Sequence, residues 1–174
     1  MPDLIGQVHS VLATTGARWA ALASIDPGLL ARRPAAGEWS AIQCLQHMVD
    51  TEHAVFRARV LAILDGQDFD AFDPDAAGHV DHIAATAPQL AGELARMRLE
   101  SLVALDALEP ADLDRTARHA ELGIVSLREL LNEWAAHDTM HIVQAERALM
   151  QAFIPGSGPW RASFVDHDVD APRD

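Results

Sequence analysis

Apolar residues recur along this chain mostly at helical spacing. Leu4, Val8, Val11, Leu12, Thr15, Trp19 and Leu22 form one stripe, which predicts a first helix from about Asp3 to Ser24. Asp26-Pro27-Gly28 ends it and starts a single turn through Leu29 and Leu30, before a loop marked by Pro34 and Gly37. Ser40 and Gln43 form a capping box, in which the Gln side chain reaches back to the cap residue. The stripe behind it, Ile42, Leu45, Val49, Phe56, Val60 and Ile63, predicts one continuous second helix to about Leu64. Thr86 and Gln89 open a third helix, with Pro88 in its permissive first turn and Leu90, Leu94, Met97, Ser101, Leu105 and Leu108 along one side. Pro110 stops it. Ser126 and Glu129 cap a fourth helix that carries Leu127, Leu130, Trp134, Ala145 and Ala148 and runs to about Gln151.

The connections sharpen this into an architecture. Asp65 to Asp81 is acidic, contains Gly66, Pro74 and Gly78, and is long enough to be a crossover rather than a hairpin. A second loop, roughly Glu109 to Val125, holds His119 and Gly123. Strand signals are almost absent: there is no Tyr and there are few β-branched runs. The expectation is an all-α four-helix bundle with a long crossover between its second and third helices. The folded unit is expected over residues 1–153. Pro155-Gly156-Ser157-Gly158-Pro159 then breaks regular structure, and residues 154–174 are read as a C-terminal tail.

Composition narrows the partners. The chain has 174 residues, of which 49% are apolar and 22% charged, enough to bury one core. Thirteen basic residues, all Arg, stand against twenty-six acidic ones, for a net charge of −13. Binding to nucleic acid depends on basic side chains that release counterions from phosphates, so this balance argues against a nucleic-acid partner and against an anionic membrane surface. Cys44 is the single cysteine, which excludes an internal disulfide and a thiolate cluster. No apolar run reaches membrane-spanning length, and Met1-Pro-Asp-Leu-Ile5 lacks the features of a secretory signal. A soluble, cytoplasmic protein is expected.

Nine histidines are the remaining feature without an explanation. His137 and His141 are four apart on the fourth helix, so their side chains differ by about 40° around its axis and face one way. They share the stripe of Trp134 and Ala145. A buried imidazole pair costs desolvation unless something compensates, and a bound cation would, though hydrogen-bonded core-edge histidines satisfy the same spacing. On the second helix His47 and His53 differ by about 120°. His53 sits near Gln46 and Arg57 and reads as a surface residue. His47 lies among the small side chains of Cys44, Thr51, Ala54 and Ala58, which fit the floor of a cleft and a close helix contact equally.

Gly37-Glu38-Trp39-Ser40, then His47 within Leu45-Gln46-His47-Met48, and finally Gly123-x-x-Ser126-Leu127-x-Glu129-Leu130-Leu131-x-x-Trp134-x-x-His137-Asp138-x-x-His141-x-x-Gln144 resemble the DinB/YfiT-like superfamily of bacterial four-helix-bundle metalloenzymes. The resemblance covers about Leu4 to Gln151. It implies that His47, His137 and His141 hold a divalent metal such as zinc or nickel, and it is this resemblance more than helical face that selects His47. Three neutral nitrogens leave open positions on an ion, which is the catalytic pattern. Such an ion lowers the pKa of bound water or deprotonates a thiol. The resemblance accordingly implies a hydrolase, or a transferase that uses a low-molecular-weight thiol, acting on a small-molecule substrate. The alternative is a catalytically inactive bundle that serves as a metal-stabilised binding or dimerisation module; a homodimer would have Trp160 and Phe164 available as contacts.

Several neighbours are candidates to support the site. Cys44, about 60° from His47, is expected to be an inert buried thiol. Glu133 is the best-placed carboxylate to orient a histidine and Asp50 the next, whereas Asp138, about 100° round from His137, reads as a surface group. The run from Asp73 matches an EF-hand loop at its first, third and sixth positions but has Ala84 where a bidentate Glu is required, so it is rejected. His79 and His82 are read as solvent-exposed. There is no phosphate-binding Gly loop and no Gly-x-Ser-x-Gly nucleophile.

Overall fold

A computed structural model describes residues 3–73 and 83–170. Helix α1 (Leu4–Leu22) starts where Asp3 Oδ1 accepts from the amide of Gly6 at 3.0 Å. The short α2 (Pro27–Ala31) is capped in the same way by Asp26. The Ser40 capping box forms as expected, with the Ser40 amide donating to Gln43 Oε1 at 2.9 Å, and opens α3 (Ala41–Ala54). The Thr86 and Ser126 boxes open α5 (Ala87–Asp106) and α6 (Leu127–Met150).

The second bundle helix is not continuous. It breaks at Val55 (φ −114°, ψ −76°) into α3 and α4 (Phe56–Asp65), with no Pro or Gly at the break. Thr51 Oγ1 lies within hydrogen-bond reach of the carbonyls of His47 and Met48 one turn before it, the kind of back-bonding that bends a helix. The break turns Phe56 under the fourth helix, where its ring stacks on Trp134 at 5.2 Å. Gly66 ends α4 in the left-handed conformation (φ 67°).

Four-helix packing is as expected, with α1, α3–α4, α5 and α6 as the bundle helices. Both α1 and α3 pack against α5 and α6. Consecutive bundle helices therefore occupy opposite corners, first across residues 23–40 and again across 107–126. The connection between the second and third bundle helices is long, from Gly66 to Thr86. His79, His82 and most of the rejected EF-hand run lie outside the described residues.

The segment 109–125, expected as an irregular loop, has regular structure. It contains a 3₁₀ turn (Pro110–Asp114) and an antiparallel hairpin of β1 (Thr116–His119) and β2 (Gly123–Ser126). Four-residue strands are too short to show a period of two, so the residue pattern carried no strand signal. Gly123 (φ 79°) makes the turn possible, and Leu113 and Ala117 anchor the hairpin to the core. Phe69 joins its edge: the Phe69 amide donates to the Arg118 carbonyl at 3.0 Å and the Ala120 amide to the Phe69 carbonyl at 3.1 Å. At the other end, residues after Ile154 continue in 3₁₀ turns interrupted at Gly158 and fold back on α6. Gln151 bonds both the His167 carbonyl and the Val169 amide, and buried Asp168 pairs with Arg161 at 2.6 Å. Trp160 is 73% exposed.

The apolar core lies in two clusters. One gathers around Trp19, Leu45, Met48, Leu94 and Ile142, the other around Leu12, Phe56, Ile63, Leu131 and Trp134. Burial of each such side chain contributes about 1.5–3 kcal/mol. Between the clusters runs a layer of buried polar side chains from every bundle helix: Thr15, Glu52, Arg98, Ser101 and Asp138. Arg98 donates to Asp138 Oδ1 at 2.6 Å and to the Leu12 carbonyl at 3.3 Å, and lies 3.1 Å from Glu52 Oε2. Thr15 Oγ1 donates to Asp138 Oδ2. Asp138 is therefore not a surface group. α6 packs on α1 as well as on α3, so the face 100° from His137 is also interior.

Candidate metal centre

The same polar level holds three imidazoles. α3 presents His47 and α6 presents His137 and His141, and their ligand nitrogens all lie within 4.8 Å of one another. Ring centroids are 4.4–5.1 Å apart. His47 Nε2 stands 3.1 Å from His137 Nε2. The structure thus brings together the three histidines singled out in the sequence, while His53 is exposed on the far side of α3.

Aromatic side chains fix the rings. Trp39, just before the α3 cap, stacks on His141 (5.9 Å, 21°) and tilts against His47 (5.0 Å). Phe56, brought in by the break at Val55, meets His137 at 5.1 Å. His141 Nδ1 donates to Gln144 Oε1 at 2.8 Å, which leaves its Nε2 a bare acceptor. The buried Nδ1 atoms of His47 and His137 have no hydrogen-bond partner among the described residues.

Burial holds all three imidazoles neutral. It pushes His47 down to about 4, helped by His141, and His137 to about 3, helped by His141, His47 and Arg98. His141 is lowered too, against the opposing pull of Gln144 and Asp138. Neutral imidazole is the ligand form. Two nitrogens about 2.0–2.1 Å from one tetrahedral ion stand about 3.3 Å apart, close to the His47–His137 separation. Without a cation, one of those facing Nε2 atoms must carry a proton toward the other, and its Nδ1 is then a buried acceptor with nothing to accept. The donor set fits a divalent cation.

Neither candidate carboxylate bonds a histidine Nδ1, and Cys44 is the buried thiol expected. Asp50 accepts from Gln46 at 2.9 Å and does not reach His47 Nδ1. Glu133 is exposed and lines the cavity beside the imidazoles without bonding His137 Nδ1. Cys44 is fully buried among apolar side chains, and burial pushes its thiol up to about 12, which removes it from the chemistry. His119 is not a solvated loop residue but is 6% exposed, with Nδ1 accepting from the amides of Glu121 and Leu122 at 3.1 and 3.3 Å.

A cavity of about 390 Å³ opens beside the three rings, with Phe56, Phe72, Arg59 and His119 among its walls. Arg59 and His119 gave no signal in the sequence, since they enter from α4 and the hairpin. A second groove, about 590 Å³, lies across Trp39, Met140 and His141.

A four-helix scaffold with three converging histidines defines a bundle protein with a metal-ligand constellation. The DinB superfamily model matches residues 12–145, and the chain belongs to that superfamily. Among solved structures it is similar to YfiT from Bacillus subtilis, described as "a probable metal-dependent hydrolase with an unusual four-helix bundle topology". Identity is 15% and the TM-score 0.75, over 88% of this chain and 89% of that one, a likeness of fold. None of the curated proteins matches the chain. No helix among the described residues is long and apolar enough to cross a membrane.

Proposed function

We propose that this chain is a metal-dependent enzyme in which His47, His137 and His141 hold a divalent cation, zinc or nickel, beside a small-molecule cavity. The observation that carries this is the convergence of three neutral imidazole nitrogens at the wall of that cavity. When bound, the ion supplies a Lewis acid that activates water or the sulfur of a low-molecular-weight thiol. Around it Gln144 fixes the His141 tautomer, Trp39 and Phe56 hold the ring planes, and the phenyl ring of Phe72 near His47 (6.5 Å) keeps the cavity wall apolar. Hydrolysis is favoured by the likeness to YfiT; thiol transfer is the second reaction the same centre supports.

Metal analysis of protein purified without an affinity tag is expected to find about one zinc or nickel per chain, and none in His141→Ala. Sub-stoichiometric metal in the wild-type protein after loading overturns the proposal. Stoichiometric metal without turnover of any ester, amide or thiol-acceptor pair identifies the inactive binding module instead.

A further inference from the structure

Two side chains lining the cavity, His119 and Arg59, both meet the ring of Phe69. The His119 ring meets Phe69 edge-on at 5.5 Å, and the Phe69 ring carries the Arg59 guanidinium at 5.2 Å. Backbone bonds between Phe69 and residues 118 and 120 hold this stack in place. Because His119 Nδ1 accepts two backbone amides, its hydrogen sits on Nε2, and this donor has no hydrogen-bond partner among the described residues. Arg59 gives one nitrogen to the Asp70 carbonyl at 3.0 Å; its other donors have no partner among the described residues. Among the described residues it is the one arginine lining the cavity, in a protein of net charge −13. Glu121 and Glu133, also lining the cavity, are exposed, and the Glu133 charge acts on Arg59.

A guanidinium and an N–H donor lining one cavity suit a carboxylate, which takes donors in its plane and whose single charge one guanidinium balances. The aromatic walls suit an apolar body attached to it. We propose that the cavity takes a small carboxylic acid, its carboxylate held by Arg59 and the Nε2–H of His119 and its apolar body directed toward the imidazoles of His47, His137 and His141. This rests on the metal-dependent reading for its purpose but not for its test.

Phenylacetate and its neutral isostere phenylacetamide are titrated by calorimetry into metal-stripped and zinc-loaded protein. Wild-type protein is expected to prefer the carboxylate by about tenfold or more even when stripped, since a charge-assisted pair is lost in the amide. Arg59→Gln and His119→Phe should each abolish the preference, and His119→Gln, which keeps an N–H donor, should retain part of it. No preference in the wild type, or one that survives Arg59→Gln, overturns the proposal. If His119→Phe fails to fold, as thermal melts would show, the Arg59→Gln comparison decides alone. A preference without zinc uptake would fail the metal reading only; zinc uptake without a preference would fail this one only.

Discussion

Asp138 sits beside His137 in sequence, yet its carboxylate turns away from the imidazoles and takes the Arg98 guanidinium at 2.6 Å. One turn of α6 thereby serves two purposes, an imidazole edge toward α3 and a buried ion pair toward α5. Arg98 adds Glu52 and the Leu12 carbonyl, so every bundle helix is tied at the level of the histidines.

Removal of Arg98 should cost more than any surface charge. Arg98→Met leaves two carboxylates buried without their cation, a loss of about 3–5 kcal/mol, because an uncompensated buried charge is stranded. Urea denaturation of Arg98→Met against Arg18→Met, whose ion pair with Glu146 is exposed and worth about 0–1 kcal/mol, checks the contrast. Equal losses would contradict it.

Metal removal should lower thermal stability. A ligand at about 100-fold its dissociation constant stabilises the native state by about 2.7 kcal/mol. For a chain of this size that is roughly 5–10 °C in Tm. Chelation should produce this drop in wild-type protein and leave the Tm of His141→Ala unmoved.

Metal-stripped protein should lose stability as pH falls below the ordinary histidine range. His47 and His137 bind protons more weakly when folded (about 4 and about 3) than when unfolded, where the ordinary value is 6.5. The unfolded chain therefore takes up more protons between about pH 6.5 and those lower values, and folding weakens steadily across that window. Glu52 works in the opposite sense, since burial raises its carboxyl. The difference between wild type and His137→Gln isolates the histidine contribution in denaturant titrations at pH 7 and pH 5.

Cys44 should be unreactive. A thiol held near 12 in an apolar cluster has almost no thiolate at pH 8. A disulfide reagent should modify it fully in urea and only on the timescale of unfolding in native protein. Rapid native labelling would show that the thiol reaches the cavity.

Much of this was legible in the residues. Ser40–Gln43, Thr86–Gln89 and Ser126–Glu129 are local signals, because a cap is satisfied within three residues, and they located three helix starts. His137 and His141 were placed together by helical pitch alone. The Val55 break was not, because Thr51 back-bonding competes with an apolar period that runs on undisturbed. Asp138 misled for a related reason: helical angle relates it to His137 but does not say how many sides of α6 are covered.

By itself the amino-acid pattern determined the helices, their caps, the all-α class and the face shared by two histidines, since each depends on contacts a few residues apart. Tertiary structure decided the rest: His47 over His53, Asp138 against Arg98, and Arg59 stacked through Phe69 onto His119. His47–His137, Arg98–Asp138 and Phe69–His119 join residues 40 to 90 positions apart. Only the diagonal order of the bundle helices, and a hairpin too short to announce itself, brings such distant side chains to one level.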